Sequence, residues 1–174
     1  NASYFPVNSY ERSTFMDLQG PCLWALARSS LLTGTQEYLP LIRQGINMII
    51  LQAYPVDSKR GDSLRLPNDG FEERRGEETE NTVRWVFKAG LLLRAVRAIE
   101  RLFLTDAAKK SINDDDHKRV VEIKKLALAY IKSGSKITSF GTEVLTSADS
   151  GETNSETQPW VIMSLVDADH LALK

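Results

Sequence analysis

Apolar residues recur at helical spacing in four stretches of this chain. The strongest covers residues 79–104, where Trp85, Leu92, Val96, Ile99 and Phe103 share one face, Ala89 and Leu93 widen it, and Arg94, Arg97 and Arg101 repeat on another. A stripe of that width cannot stand alone in water, so other elements must cover it. Residues 36–53 follow the same rhythm with Leu39, Ile42, Ile46, Ile49 and Ile50; Thr35 is a fair N-cap, Pro40 lies near the first turn, and Gly45 weakens the middle. Residues 22–32 begin after Pro21, which a first helical turn tolerates, and stop at Thr33-Gly34, with Gly34 suited to the left-handed C-terminal cap. In residues 115–133 Val120, Ile123, Ala127, Tyr130 and Ile131 face one way and Lys118, Lys125 and Lys132 another. Acids at the start of that stretch favour the helix dipole, and Gly134 ends it.

The remaining segments lack that period. Residues 1–20, with Tyr4, Phe5, Tyr10 and Phe15, read as an extended arm. Residues 55–80 mix acids and bases with glycine and proline and read as a long exposed connection, with Leu64, Leu66 and Phe71 as possible anchors. Residues 136–145 and 160–166 have strand composition, separated by a polar Ser/Thr/Glu stretch. The expected fold is mainly α, an up-and-down four-helix bundle with a small C-terminal β appendage. It is a single domain, 1–174, divided into an arm (1–20), a helical bundle (21–133) and a strand and loop tail (134–174).

Charge narrows the choice of partner. Lysine and arginine number 22 against 23 acids, a net charge of −1, so no global field draws the monomer onto nucleic acid and any such binding needs a local patch or many copies. Cys22 is the only cysteine, which excludes an intrachain disulfide and fits a reducing compartment. The longest apolar run, residues 46–53, is far too short for a membrane span, and residues 1–20 lack the order of a signal peptide; a soluble, intracellular protein with no membrane partner is expected. No cofactor or metal is implied: His117 beside Asp114, Asp115 and Asp116 reads as ordinary capping sequence.

Two sets of residues are candidate sites. Guanidinium groups at Arg94, Arg97 and Arg101 line one helix face and can reach successive phosphates, and Arg43 joins them if the second and third helices are neighbours. The competing account is a solvated face paired with Glu78, Glu80 or Glu100; Lys118, Lys125 and Lys132 read more simply as a wet side. The second set rests on Gln19-Gly20-Pro21-Cys22-Leu23-Trp24, which places a thiol at an expected helix N-terminus, where the dipole lowers its pKa. That arrangement resembles papain-like thiol peptidases. The resemblance implies Gln19 as oxyanion support and His170 as base, with Asp167 or Asp169 nearby; the competing account is a small apolar cysteine facing a core.

A wider resemblance covers roughly residues 26–143. A first helix ends in Leu31-Leu32-Thr33-Gly34, and a second carries Arg43. A loop then holds Arg65-Leu66-Pro67-Asn68-Asp69-Gly70-Phe71. The third helix is rich in leucine and alanine, and the fourth opens on acids and closes on a Gly-Ser turn before Ser139-Phe140-Gly141-Thr142-Glu143. This layout resembles the coat proteins of rod-shaped plant viruses of the tobacco mosaic type. The resemblance implies radial packing of helices into a rod, RNA contact through Arg43 and, less directly, Arg94, Arg97 and Arg101, and a location in the virion or host cytoplasm. The expected function is therefore a non-enzymatic, self-assembling capsid or nucleocapsid subunit, a homo-oligomer that encloses RNA without sequence preference. The alternatives are a thiol peptidase using Cys22 and His170, or a helical adaptor that binds another protein.

Overall fold

The computed structural model describes residues 16–53, 72–74, 77–79, 86–146 and 151–167. It is mainly helical, with a small two-stranded antiparallel sheet towards the C-terminus. Six helices are described: α1 (Met16–Thr33), α2 (Leu39–Ala53), α3 (Val86–Phe103), α4 (Asp106–Lys109), α5 (Asp114–Ser133) and α6 (Thr157–Leu165). Strands β1 (Glu72–Arg74) and β2 (Glu77–Thr79) form one antiparallel pair, β3 (Ser135–Thr138) and β4 (Gly141–Val144) another. Trp85, Leu64, Leu66, Phe71, His170 and the arm before Met16 lie outside the described residues.

Helix α3 is the axis of the molecule. Of the apolar stripe expected on it, Ala89, Leu92, Leu93, Val96, Ile99 and Phe103 are buried, the first three at 0% exposure, and no residue from Val86 to Phe103 is fully exposed. Each large apolar side chain taken out of water there contributes about 1.5–3 kcal/mol. Helices α1, α5 and α6 pack against α3, while α2 packs against α1 and α5. Two glycines bring the flanking helices in to backbone contact. A Cβ on Gly20 of α1 would come 3.1 Å from the Leu91 carbonyl carbon, and one on Gly90 of α3 would come 3.2 Å from Trp160 O and Val161 Cα of α6. Adjacent residues of α3 therefore meet helices on two sides.

The structure corrects several sequence expectations. Helix α1 begins at Met16, inside the stretch read as an arm; Met16, Leu18 and Gln19 tolerate a helix, and Pro21 in the second turn forfeits a single intrahelical hydrogen bond. Helix α2 begins at Leu39, three residues later than expected. Helix α3 is described from Val86, and Thr79, expected at its start, belongs to β2, where it lies opposite Glu72. That ladder sits inside the expected connection, and backbone pairing needs no apolar period to form it. Residues 136–145, expected as one strand, fold back as the β3–β4 hairpin with Ser135 opposite Val144. Of the expected strand at 160–166, residues 160–165 are helical, within α6, and Val166 caps its end. A short apolar run such as Trp-Val-Ile-Met does not distinguish the two by periodicity, and Gly90 offers it a helix-sized contact.

Capping follows the sequence at the end of α1 and at both ends of α5, whereas Thr35, expected as the N-cap of α2, lies four residues before that helix. Gly34 ends α1 at φ 73°, and its N–H donates to Ser30 O. Asn113 and Asp116 form a reciprocal capping box at the start of α5: the Asp116 N–H donates to the Asn113 side chain, and the Asn113 N–H donates to the Asp116 carboxylate.

Candidate functional site

The four candidate arginines all have partners within the chain. Arg43 of α2 reaches the first turn of α5, where Nε donates to both Asp116 oxygens at 3.0 Å, Nη2 donates to Oδ2 at 2.7 Å, and Nη2 also donates to Ser111 O. Partial burial pushes the Asp116 carboxyl up. The hydrogen bonds from Arg43 and the Asn113 backbone and the charges of Arg43 and Arg119 outweigh it, holding the group below its ordinary value. Arg94 stacks over the Trp24 ring of α1, 4.4 Å from its centroid. Arg97 Nη2 donates to Leu165 O at 3.0 Å, and Arg101 Nη1 donates to both oxygens of Asp167 at 2.7 Å.

Arg97 and Arg101 are brought together at one place. With Lys124 and His117 of α5 and Asp167 just beyond α6, they line a cleft of about 520 Å³ whose apolar wall includes Leu104 and Val121. Lys124 Nζ donates to both Glu100 oxygens at 2.8 and 2.9 Å. One carboxylate, Asp167, serves two guanidinium groups: Arg101 closely, and Arg97 at 3.7 Å. Among the described residues Arg97 Nε and Arg101 Nε and Nη2 are buried without a hydrogen-bond partner. Asp167 lies 66 residues beyond Arg101 in the chain, so no local spacing could have named it as their partner.

The thiol set is arranged differently from expectation. Helix α1 starts six residues before Cys22, which puts the thiol in the second turn instead of at the N-terminus, and burial pushes its pKa up. Gln19 is 1% exposed, and His170 lies outside the described residues. His117 meets the Phe103 ring edge-on at 5.6 Å. Among the described residues no three His, Cys, Asp or Glu side chains converge as metal ligands. The lysine row does what its pattern suggests: Lys118, Lys125 and Lys132 are all exposed on α5.

One surface was missed by the sequence reading. Helix α6 buries Thr157, Val161 and Ser164 against the body and leaves Ile162 51%, Leu165 42% and Val166, just past its end, 56% exposed. At the β3–β4 turn, Ile137 and Phe140 are 87% and 96% exposed. Periodicity was no guide because α6 is apolar on nearly every side; the signal was Ser164 set among large apolar neighbours.

No family model matches this chain, and no curated protein or solved structure is significantly similar to it. None of the described helices is long and apolar enough to cross a membrane.

Proposed function

We propose that this chain is a non-enzymatic subunit that assembles with copies of itself, of the viral coat or nucleocapsid kind, and encloses RNA through its phosphates. The observation that carries the reading is the outward face of α6. A helix that puts threonine and serine inside while Ile162, Leu165 and Val166 stay in water presents a surface for another chain to cover. Ile137 and Phe140 at the hairpin turn add a second apolar projection. A net charge of −1 sets no long-range repulsion between copies. On this reading α1, α2, α3 and α5, each packed against two of the others, are an up-and-down bundle of the kind seen in rod-shaped plant virus coats.

The RNA half of the reading rests on the arginines and is electrostatic. A few guanidinium groups per subunit, multiplied along an assembly, give useful affinity without base contacts. Each of these side chains already has a partner, so a phosphate binds by exchange: for Asp116 at Arg43, for Asp167 at Arg97 and Arg101, and for the Trp24 ring at Arg94.

Sedimentation velocity and electron microscopy of the concentrated protein test the assembly. Rods, discs or filaments are expected, dispersing to monomers in the Ile162→Glu, Leu165→Glu double variant with the monomer's melting temperature unchanged. A wild-type protein that stays monomeric across pH and salt sinks the reading.

A further inference from the structure

The cleft beside α6 has more donors than its own carboxylates use. Three cations, Arg97, Arg101 and Lys124, face two anions, Glu100 and Asp167. Glu100 is engaged by Lys124, which leaves Asp167 alone against both guanidinium groups. Three buried guanidinium nitrogens remain over among the described residues, Arg97 Nε and Arg101 Nε and Nη2. Buried donors of this kind are rare without a reason, because each costs the full loss of its hydration. A carboxylate presents two oxygens; an oxyanion with three or four suits this surplus better. Asp167 itself sits in the turn after α6 at φ 54°, a left-handed conformation that an aspartate tolerates better than most side chains. It is thus a carboxylate held in the lining of the cleft by a short turn, with 28% of its side chain exposed.

We propose that this cleft binds a phosphate group on Arg97 and Arg101, with Lys124 still held by Glu100 beside it, and that Asp167 is an internal competitor that occupies the arginines until the phosphate displaces it. The inference rests on the RNA reading above only for what carries the phosphate; the site itself follows from the donors and the cleft. Exchange keeps the charge balanced, since an entering monoanion replaces a departing one. It also joins the two halves of the proposed function, because Asp167 adjoins Val166 on the outward apolar surface, so its release coincides with a change at the edge of the surface another copy would cover.

The test uses the full chain and the variant Asp167→Asn, which keeps the volume and tolerates the same positive φ. Binding of inorganic phosphate and of a short oligouridylate is measured by calorimetry, with circular dichroism and melting temperature as controls. Asp167→Asn is expected to tighten both by about tenfold, roughly the worth of one competing charged hydrogen bond. Adding Arg101→Gln to that variant is expected to cancel the gain while leaving no carboxylate unpaired. A gain for phosphate alone supports the cleft and overturns RNA as the carrier, with assembly scored separately by sedimentation. No gain for either probe in a folded Asp167→Asn protein overturns the proposal, as does a gain that survives Arg101→Gln.

Discussion

Helices α5 and α6 pack against the same partner, α3, and do so with opposite surfaces. Helix α5 turns Val120, Ile123, Ala127 and Tyr130 inward and keeps Lys118, Lys125 and Lys132 in water. Helix α6 turns Thr157, Val161 and Ser164 inward, and Ile162, Met163 and Leu165 face solvent. The first arrangement follows from the cost of wetting apolar surface. The second is set by the close approach at Gly90, where the Trp160 and Val161 backbones come within reach of α3 and a large inward side chain has no room. Helix α5 also leaves Val121 and Leu128 partly exposed, at 45% and 37%, so the contrast lies in what each helix buries: α5 puts large apolar side chains against α3, whereas α6 puts threonine, valine and serine there.

The sharpest way to break this comparison is to shorten one isoleucine on each helix. Ile123→Ala on α5 removes a side chain that is 1% exposed and should destabilise the monomer by about 2–5 kcal/mol. Ile162→Ala on α6 should change monomer stability by no more than about 0.5 kcal/mol. Urea denaturation at a concentration below assembly measures both. Comparable losses would mean that α6 is a core helix like α5 and that its outer face is covered in the monomer.

Gly90→Ala probes the α6 contact from the other side and should have the next largest effect. The new methyl group would sit 3.2 Å from two backbone atoms of α6, neither of which can rotate away, so α6 must shift. A loss of about 1–3 kcal/mol is expected. Faster amide exchange confined to α6, with α5 unaffected, would show that the shift is local.

The same contrast explains how much of the molecule could be read from its residues. The core faces of α2, α3 and α5 were legible because each is amphipathic: Ile42, Ile49, Leu92, Ile99 and Ile123 lie where their spacing puts them. Helix α6 was not, since its apolar residues surround it and the close approach that seats it is at Gly90, far away in the chain. The arginines were legible as a row, but their roles were not. Arg94 turns to Trp24 of α1 while Arg97 and Arg101 turn to the end of α6, and those partners are set by packing alone. Gln19 lies buried in α1, a helix that starts before the proline at position 21, where the sequence alone suggests a later start.

Each of the two helices is also tied by an arginine to a carboxylate, and the ties differ as the helices do. Asp116 lies inside the first turn of α5, 12% exposed, held by Arg43 and by its own capping box; Asp167 lies beyond the end of α6 in the lining of a cleft, 28% exposed. Replacing Arg43 with glutamine should cost about 1–2 kcal/mol near neutral pH, since it removes charged hydrogen bonds at a partly buried site. The pH dependence follows from the depressed folded pKa of Asp116. A carboxylate whose pKa is lower folded than unfolded contributes stability above its unfolded value and loses it as pH falls through its folded value. Without Arg43 the burial of Asp116 is opposed only by Asn113 and Arg119, so its pKa rises and acid unfolding of Arg43→Gln should begin at higher pH than in the wild type. The stability gap between the two proteins should narrow in acid, below the ordinary aspartate range, but not vanish, because the Arg43 hydrogen bond to Ser111 O carries no titrating partner. A gap that stays constant from neutral pH into acid would assign the whole effect to that carbonyl and would remove the Asp116 pair as the tie that seats α5.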